Sequence, residues 1–259
     1  LTQCFINEDT GASLSYKQIP NAKGAIIICP GGGYQFLSPR ESEPVADAFC
    51  SAGWQAFVLR YSVGENLGKK PLKELAWAVR EVRIRAAEMG FEGKPVIVCG
   101  FSAGGHLAAS LGVHWNDDTT FGPMTIHRPD GLILCYPVIT TGKYGHKESI
   151  EALAGKNDAS YFSLEHFISE HTPPTFLWHT MNDETVPVQN VILFAQGLAT
   201  YGIPAEVHLY PNGVHGLSLA TEAVAEPEKG RLPDNHVAGW FEQCIQWLDT
   251  IKLVKEKYL

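Results

Sequence analysis

Short apolar runs bounded by glycine or proline alternate with segments of helical period along nearly the whole chain. The runs are GAIIICPGGG at 24–33, WQAFVLRY at 54–61, KPVIVCG at 94–100, GLILCYPV at 131–138, PPTFLWHT at 173–180 and AEVHLYP at 205–211. They are continuous rather than alternating in hydrophobicity, as strands buried on both faces are. Between them, PLKELAWAVREVRIRAAEMG sets Leu72, Leu75, Ala76, Val79, Val82 and Ala86 on one stripe, with Pro71 opening a helix and Gly90 closing it. A last helix repeats the pattern with Val237, Trp240, Phe241, Cys244, Trp247, Leu248 and Ile251. Strand alternating with helix predicts an α/β fold, a mostly parallel sheet with helices on both faces. FIN and LSYKQI within the first twenty residues predict one or two strands joining antiparallel at an edge.

With 45% hydrophobic and 19% charged residues in a chain of 259, there is material for one large core, and a single domain over 1–259 is expected. No linker or repeat interrupts the pattern. No stretch reaches the roughly 18 apolar residues of a membrane span, so no membrane partner is expected. The 28 acidic against 20 basic residues, a net charge of -8, argue against nucleic acid as a partner. Self-association into a homo-oligomer stays open. The six cysteines include no CxxC pair, and Cys29, Cys99 and Cys135 lie inside strand-like runs, which reads as buried free thiols. The opening LTQCFINEDT has neither a basic nor an apolar leader region. Both features point to the cytoplasm.

The chemistry-bearing residues fall at the ends of the apolar runs. Gly100-Phe101-Ser102-Ala103-Gly104 fits GxSxG, a weak pattern alone, but VIVC precedes it and HLAASLGV follows. Ser102 is therefore placed at a strand-to-helix turn, where small neighbours permit a strained elbow that presents its Oγ. A serine needs a base and an orienting acid. His215, in PNGVHGLSL just after the last apolar run, has glycines on both sides to let its loop turn toward the elbow. His106 lies four residues past Ser102 inside the helix and reads as a packing or hydrogen-bonding residue. Asp183 follows PPTFLWHT at the carboxyl end of a strand, where open α/β sheets build their sites, with Glu184 as its near competitor. The order Ser102, Asp183, His215 is the one this architecture uses.

Pro30-Gly31-Gly32-Gly33-Tyr34 closes the first apolar run, and its glycines allow backbone amides to approach an oxyanion. Gly32, Gly33 and Ala103 are the candidate donors. A phosphate loop is excluded, because there is no GK[ST] and no GxGxxG before an acidic strand end. Ser38-Pro39-Arg40-Glu41 reads as a capping box that starts a helix, with a residual reading in which Arg40 or Glu41 faces the site. Tyr34 and Trp178 are candidate substrate-binding aromatics, beside Phe36 and Tyr144. The polar and aromatic excursion 140–172 is a candidate cover over the site.

Together PGGGY, GFSAGGH, the D-x-x-V-P at Asp183 and the H-G at His215 resemble the α/β-hydrolase superfamily, in its esterase/lipase branch that includes acetyl xylan esterase-like and feruloyl esterase-like carbohydrate esterases. The similarity covers about residues 20–250. It implies an eight-stranded α/β-hydrolase sheet, an acyl-enzyme mechanism, and neither metal nor other cofactor. The departure is Pro30, where lipase-type HGGG loops carry histidine. No separate cap domain is visible, which argues against a long-chain lipase. The expected activity is a serine carboxylesterase acting on short-acyl, chiefly acetyl, esters of carbohydrates or similar small polar alcohols. The expected partner is therefore a small-molecule ester substrate. Two alternatives stay open: a small serine peptidase or formamidase of the same superfamily, and a non-catalytic ligand-binding hydrolase fold.

Overall fold

The computed structural model describes residues 3–251. Eight strands form one sheet: β1 (Gln3–Ile6), β2 (Ser13–Tyr16), β3 (Ala25–Cys29), β4 (Gln55–Arg60), β5 (Val96–Phe101), β6 (Gly131–Cys135), β7 (Thr175–Thr180) and β8 (Ala205–Tyr210), in the order β1-β2-β4-β3-β5-β6-β7-β8. β1 and β2 pair antiparallel at one edge, and every pair from β4 to β8 is parallel. This is the α/β-hydrolase fold expected from the sequence. The helices are α1 (Glu43–Ser51), α2 (Lys70–Ile84), α3 (Ala103–His114), α4 (Asp118–Phe121), α5 (Lys147–Ala154), α6 (Gln189–Thr200), α7 (Asn235–Ala238) and α8 (Trp240–Leu248).

Both faces of the sheet are covered, which is why its central strands are apolar at every position. Ile27, Cys29 and Val98 pack with α2, α3 and α6, while Ile26, Ile28 and Cys99 pack with α1 and α8 on the other face. The direction in which strands are added to the sheet reverses at β3, with β4 on one side and β5 on the other. Such a switch point opens a crevice at the carboxyl ends of the strands.

Three expectations shift. The helix expected to reach Gly90 ends at Ile84 and continues in turns. Arg83 is drawn there to the Arg128 carbonyl and the Asp130 carboxylate, at 2.7 and 2.9 Å. The last helix is two helices meeting at Gly239, and Ile251 packs on the core beyond its end. β8 is an edge strand with Val207 and Leu209 exposed, rather than a strand buried on both faces. Among the described residues, no helix is long and apolar enough to cross a membrane.

Candidate active site

β5 delivers Ser102 to the crevice through a turn that only small residues permit. The serine has φ 52° and ψ -117°, a strained conformation that lifts Oγ out of the chain path. A β-carbon on Gly100 would run into the Gly104 carbonyl, and one on Gly104 into the Cys29 carbonyl of the neighbouring strand. The two glycines of GxSxG are thus required by backbone crossing backbone.

His215, on the loop after β8, meets this serine. The Ser102 hydroxyl donates to His215 Nε2 at 2.8 Å, and His215 Nδ1 donates to Asp183 Oδ2 at 2.6 Å. The Asp183 side chain is fully buried, while that of His215 is 11% exposed. Asp183 Oδ1 accepts from the Thr185 and Val186 amides, each at 2.9 Å, which fixes the carboxylate plane. Burial works to raise the Asp183 pKa, but hydrogen bonds from His179 and His215 and the charge on His215 together hold it well below the usual carboxylate range. Glu184 is exposed. The structure therefore brings Ser102, His215 and Asp183 into one hydrogen-bonded chain.

His179, inside the apolar run PPTFLWHT, is a further member of this array that the strand pattern does not reveal. Its Nε2 lies 3.1 Å from Asp183 Oδ2 and 2.9 Å from the Val186 carbonyl. Both partners are acceptors, so Nε2 carries the proton and donates to the carboxylate from below.

The glycine loop is organised by Glu41, and here the capping-box reading is corrected. Ser38 makes no side-chain cap hydrogen bond. Glu41 instead turns inward and is buried. Its Oε2 accepts from the Gly31 amide at 2.8 Å and its Oε1 from the Tyr136 hydroxyl at 2.7 Å. A β-carbon on Gly31 would lie 2.7 Å from that carboxylate. The Tyr136 oxygen in turn accepts from the Ser218 amide at 2.9 Å, and the Tyr136 ring stands edge-on to His215 with centroids 5.1 Å apart. One buried carboxylate thus joins the glycine loop to the histidine loop. The Gly31 amide is engaged by Glu41, and the candidate oxyanion donors stay the amides of Gly32, Gly33 and Ala103. Among the described residues, none of these three amides has an acceptor within the protein.

Arg40 faces the same region and ties the histidine loop from outside. It donates to the Gly216 carbonyl at 2.8 Å and the Val224 carbonyl at 2.6 Å, and pairs with Glu226 at 3.3 Å. Arg231 completes this bridge, bonding Glu226 and donating to the His215 carbonyl at 2.9 Å.

The two candidate substrate aromatics do not reach the crevice. Tyr34 is 1% exposed, and its hydroxyl donates to His106 Nδ1 at 2.9 Å. Trp178 is wholly buried and stacks on Trp240, with ring centroids 5.4 Å apart. Tyr34 follows the glycines with a positive φ that turns its ring into the core, and Trp178 lies mid-strand under α8. Phe36 stands at the crevice instead, 60% exposed. His106 is the buried hydrogen-bonding residue expected, donating from Nε2 to the Phe162 carbonyl at 2.9 Å.

The crevice above the serine is a cleft of about 560 Å³. The excursion 140–172 contributes only His146 and Glu148 to its wall. Farther along, Phe162 and Leu164 sink into the core, so the segment flanks the site rather than covering it. Among the described residues, no group of three or more His, Cys, Asp or Glu side chains is arranged to hold a metal ion.

Residues 60–247 match the model of the prolyl oligopeptidase family, a span that includes Ser102, Asp183 and His215 but not the glycine loop. The chain is 39% identical over 229 residues to endo-1,4-beta-xylanase B of Butyrivibrio fibrisolvens and 30% identical over 207 residues to the acetylxylan esterase of Xylanibacter ruminicola. The matches cover 80% and 76% of this chain but only 36% and 42% of those longer proteins. Among solved structures, the acetyl ester-xyloside bifunctional hydrolase of Caldicellulosiruptor lactoaceticus superposes with a TM-score of 0.81 at 36% identity, covering 93% of this chain and 88% of that one. Fold, motif order and these matches agree, and the chain belongs to the prolyl oligopeptidase family of α/β hydrolases.

Proposed function

We infer that the chain is a serine carboxylesterase that removes short acyl groups, acetyl above all, from carbohydrates or similar small polar alcohols. The observation that carries this reading is the Ser102–His215–Asp183 hydrogen-bond chain, at 2.8 and 2.6 Å, beneath a cleft with unengaged amides at its floor. Ser102 Oγ attacks the ester carbonyl as His215 Nε2 takes its proton. The oxyanion is held by backbone amides, for which Gly32, Gly33 and Ala103 are the donors. His215 returns the proton to the leaving alcohol, and Asp183, ionised at neutral pH, stabilises the imidazolium. Water then repeats the cycle on the acyl-enzyme. The names of the xylan-directed relatives support acetylated sugar as the substrate class.

The family match favours a second reading, amide hydrolysis, on the same residues. A panel of nitrophenyl esters from acetate to octanoate, acetylated sugars and one anilide separates the two. The expected result is highest kcat/KM with acetyl and little with the anilide. A steady rise toward octanoate would overturn the short-acyl reading, since each methylene in a true chain pocket is worth about 0.8 kcal/mol. Ser102→Ala and His215→Ala should each lower kcat by several orders of magnitude and Asp183→Asn by somewhat less. A fluorophosphonate probe should label Ser102, and labelling that persists in Ser102→Ala would refute the nucleophile. Inertness toward the whole panel would favour the ligand-binding alternative.

We propose that residues 1–259 form one hydrolase domain. The cytoplasm remains the proposed location, resting on the buried free thiols of Cys29, Cys99, Cys135 and Cys244.

A further inference from the structure

A second cleft of about 630 Å³ lies beside the catalytic one, between the loop at Gly64–Asn66 and α5. The two clefts share Gln35 and Glu148 as a common wall. The second is built from tied backbone. The Leu67 and Gly68 amides donate to the Ala152 and Leu153 carbonyls of α5 at 3.0 and 2.9 Å, and the Gly64 amide donates to the Tyr34 carbonyl at 2.8 Å. Its form therefore exists before any ligand arrives, so binding there costs little ordering.

The wall between the clefts carries an oriented donor and acceptor. His146 caps α5, its Nδ1 accepting from the Ser149 amide at 3.3 Å with the Ser149 hydroxyl at 2.8 Å. A nitrogen that accepts from an amide carries no proton, so the ring proton sits on Nε2. Burial lowers the His146 pKa and keeps the ring neutral near pH 7. Nε2 lies 3.3 Å from Glu148 Oε2, longer than a well-formed hydrogen bond. A hydroxyl, which both donates and accepts, matches this loosely joined pair. Glu65, Glu148 and Glu151 outnumber Lys156 along the second cleft, so an anionic ligand is disfavoured there. Phe36, on the rim of the catalytic cleft, offers an apolar face to the C–H side of a ring.

Building on the carbohydrate-esterase reading, we propose that His146, Gln35 and Glu148 form a saccharide subsite over which a neutral oligosaccharide runs from the catalytic cleft into the second cleft. The enzyme then takes the acetyl group from a chain rather than from a free monosaccharide. Glu151, on the next turn of α5, would meet the following sugar unit.

The test measures kcat/KM on singly acetylated xylose and its neutral oligomers up to five units, beside nitrophenyl acetate. Wild type should gain roughly tenfold from one unit to four, the size of one or two hydrogen bonds. His146→Asn keeps a helix-capping side chain but loses Nε2, and Glu148→Gln with Glu151→Gln removes two exposed carboxylates. Each variant should bring the ratio of oligomer to monomer kcat/KM toward one. An oligomer carrying a uronic acid on the units beyond the acetylated one should show no gain. A flat length series in wild type, a ratio that survives in both variants, or an equal gain with the anionic chain would each overturn the subsite while leaving the esterase reading intact. Absence of hydrolysis on every ester, nitrophenyl acetate included, would overturn both.

Discussion

Outside the hydrogen-bonded chain at Ser102, Glu41 is a buried side chain that bonds both the Gly31 amide and the Tyr136 hydroxyl. Glu41→Gln keeps the shape but, with its Oε1 on the Gly31 amide, offers an NH₂ where Tyr136 now donates, so the phenol proton loses its acceptor. The expected outcome is a fall in kcat of about ten- to a hundredfold with KM little changed, less than the hundred- to thousandfold of deleting an oxyanion donor. Steady-state kinetics on nitrophenyl acetate would check it, and a variant that melts lower while keeping its kcat would mean that Glu41 only holds the fold together. Ser102, Asp183 and His215 were legible in the sequence because each follows an apolar run directly and has turn-forming neighbours. Glu41 was not, since its meaning depends on Tyr136, 95 residues away. Tyr34 and Trp178 were misread for a related reason: closeness to a strand end along the chain does not say into which face a ring turns.

Among the elements, the strand–turn–helix of β5 and α3 was the most legible, since its glycines are dictated by crossing backbones. Gly104→Ala forces a methyl against the Cys29 carbonyl, which neither strand nor helix can yield without breaking β3–β5 pairing. It should lower the free energy of unfolding by about 3 kcal/mol, measured by urea titration. An unchanged midpoint would show that the two elements have room to separate. Less legible were the C-terminal end of α2 and the division of the last helix at Gly239. The first is set by tertiary partners, Asp130 and Arg128, that local periodicity does not contain. The edge position of β8 was also hidden: the apolar run there reads like its neighbours, although one face is left to solvent at Val207 and Leu209.

At the scale of the whole molecule, two buried histidines carried by α3 give stability a defined pH dependence. Burial lowers the pKa of both His106 and His114 to about 4, against the partial opposing effect of hydrogen bonds to the Phe162 and Tyr161 carbonyls. With folded values below the unfolded value of about 6.5, the unfolded chain binds more protons between about pH 6.5 and 4, so stability falls on acidification across that window. His106 alone should cost about 2 kcal/mol between pH 7 and pH 5. Urea titrations at the two pH values should show this loss, and His106→Gln should reduce it; a pH-independent midpoint would refute the assignment. Asp183, with its lowered pKa, contributes stability that is lost only at lower pH, as its carboxylate takes up a proton. The helix that carries these histidines has a further consequence. All twelve residues of α3 are buried, so Ser102 stands at the head of a helix that has little room for substitution. The cleft walls come instead from loops and from the exposed side of α5, so ligand preference can drift over evolutionary time by replacement of wall residues while Ser102, Asp183 and His215 stay fixed.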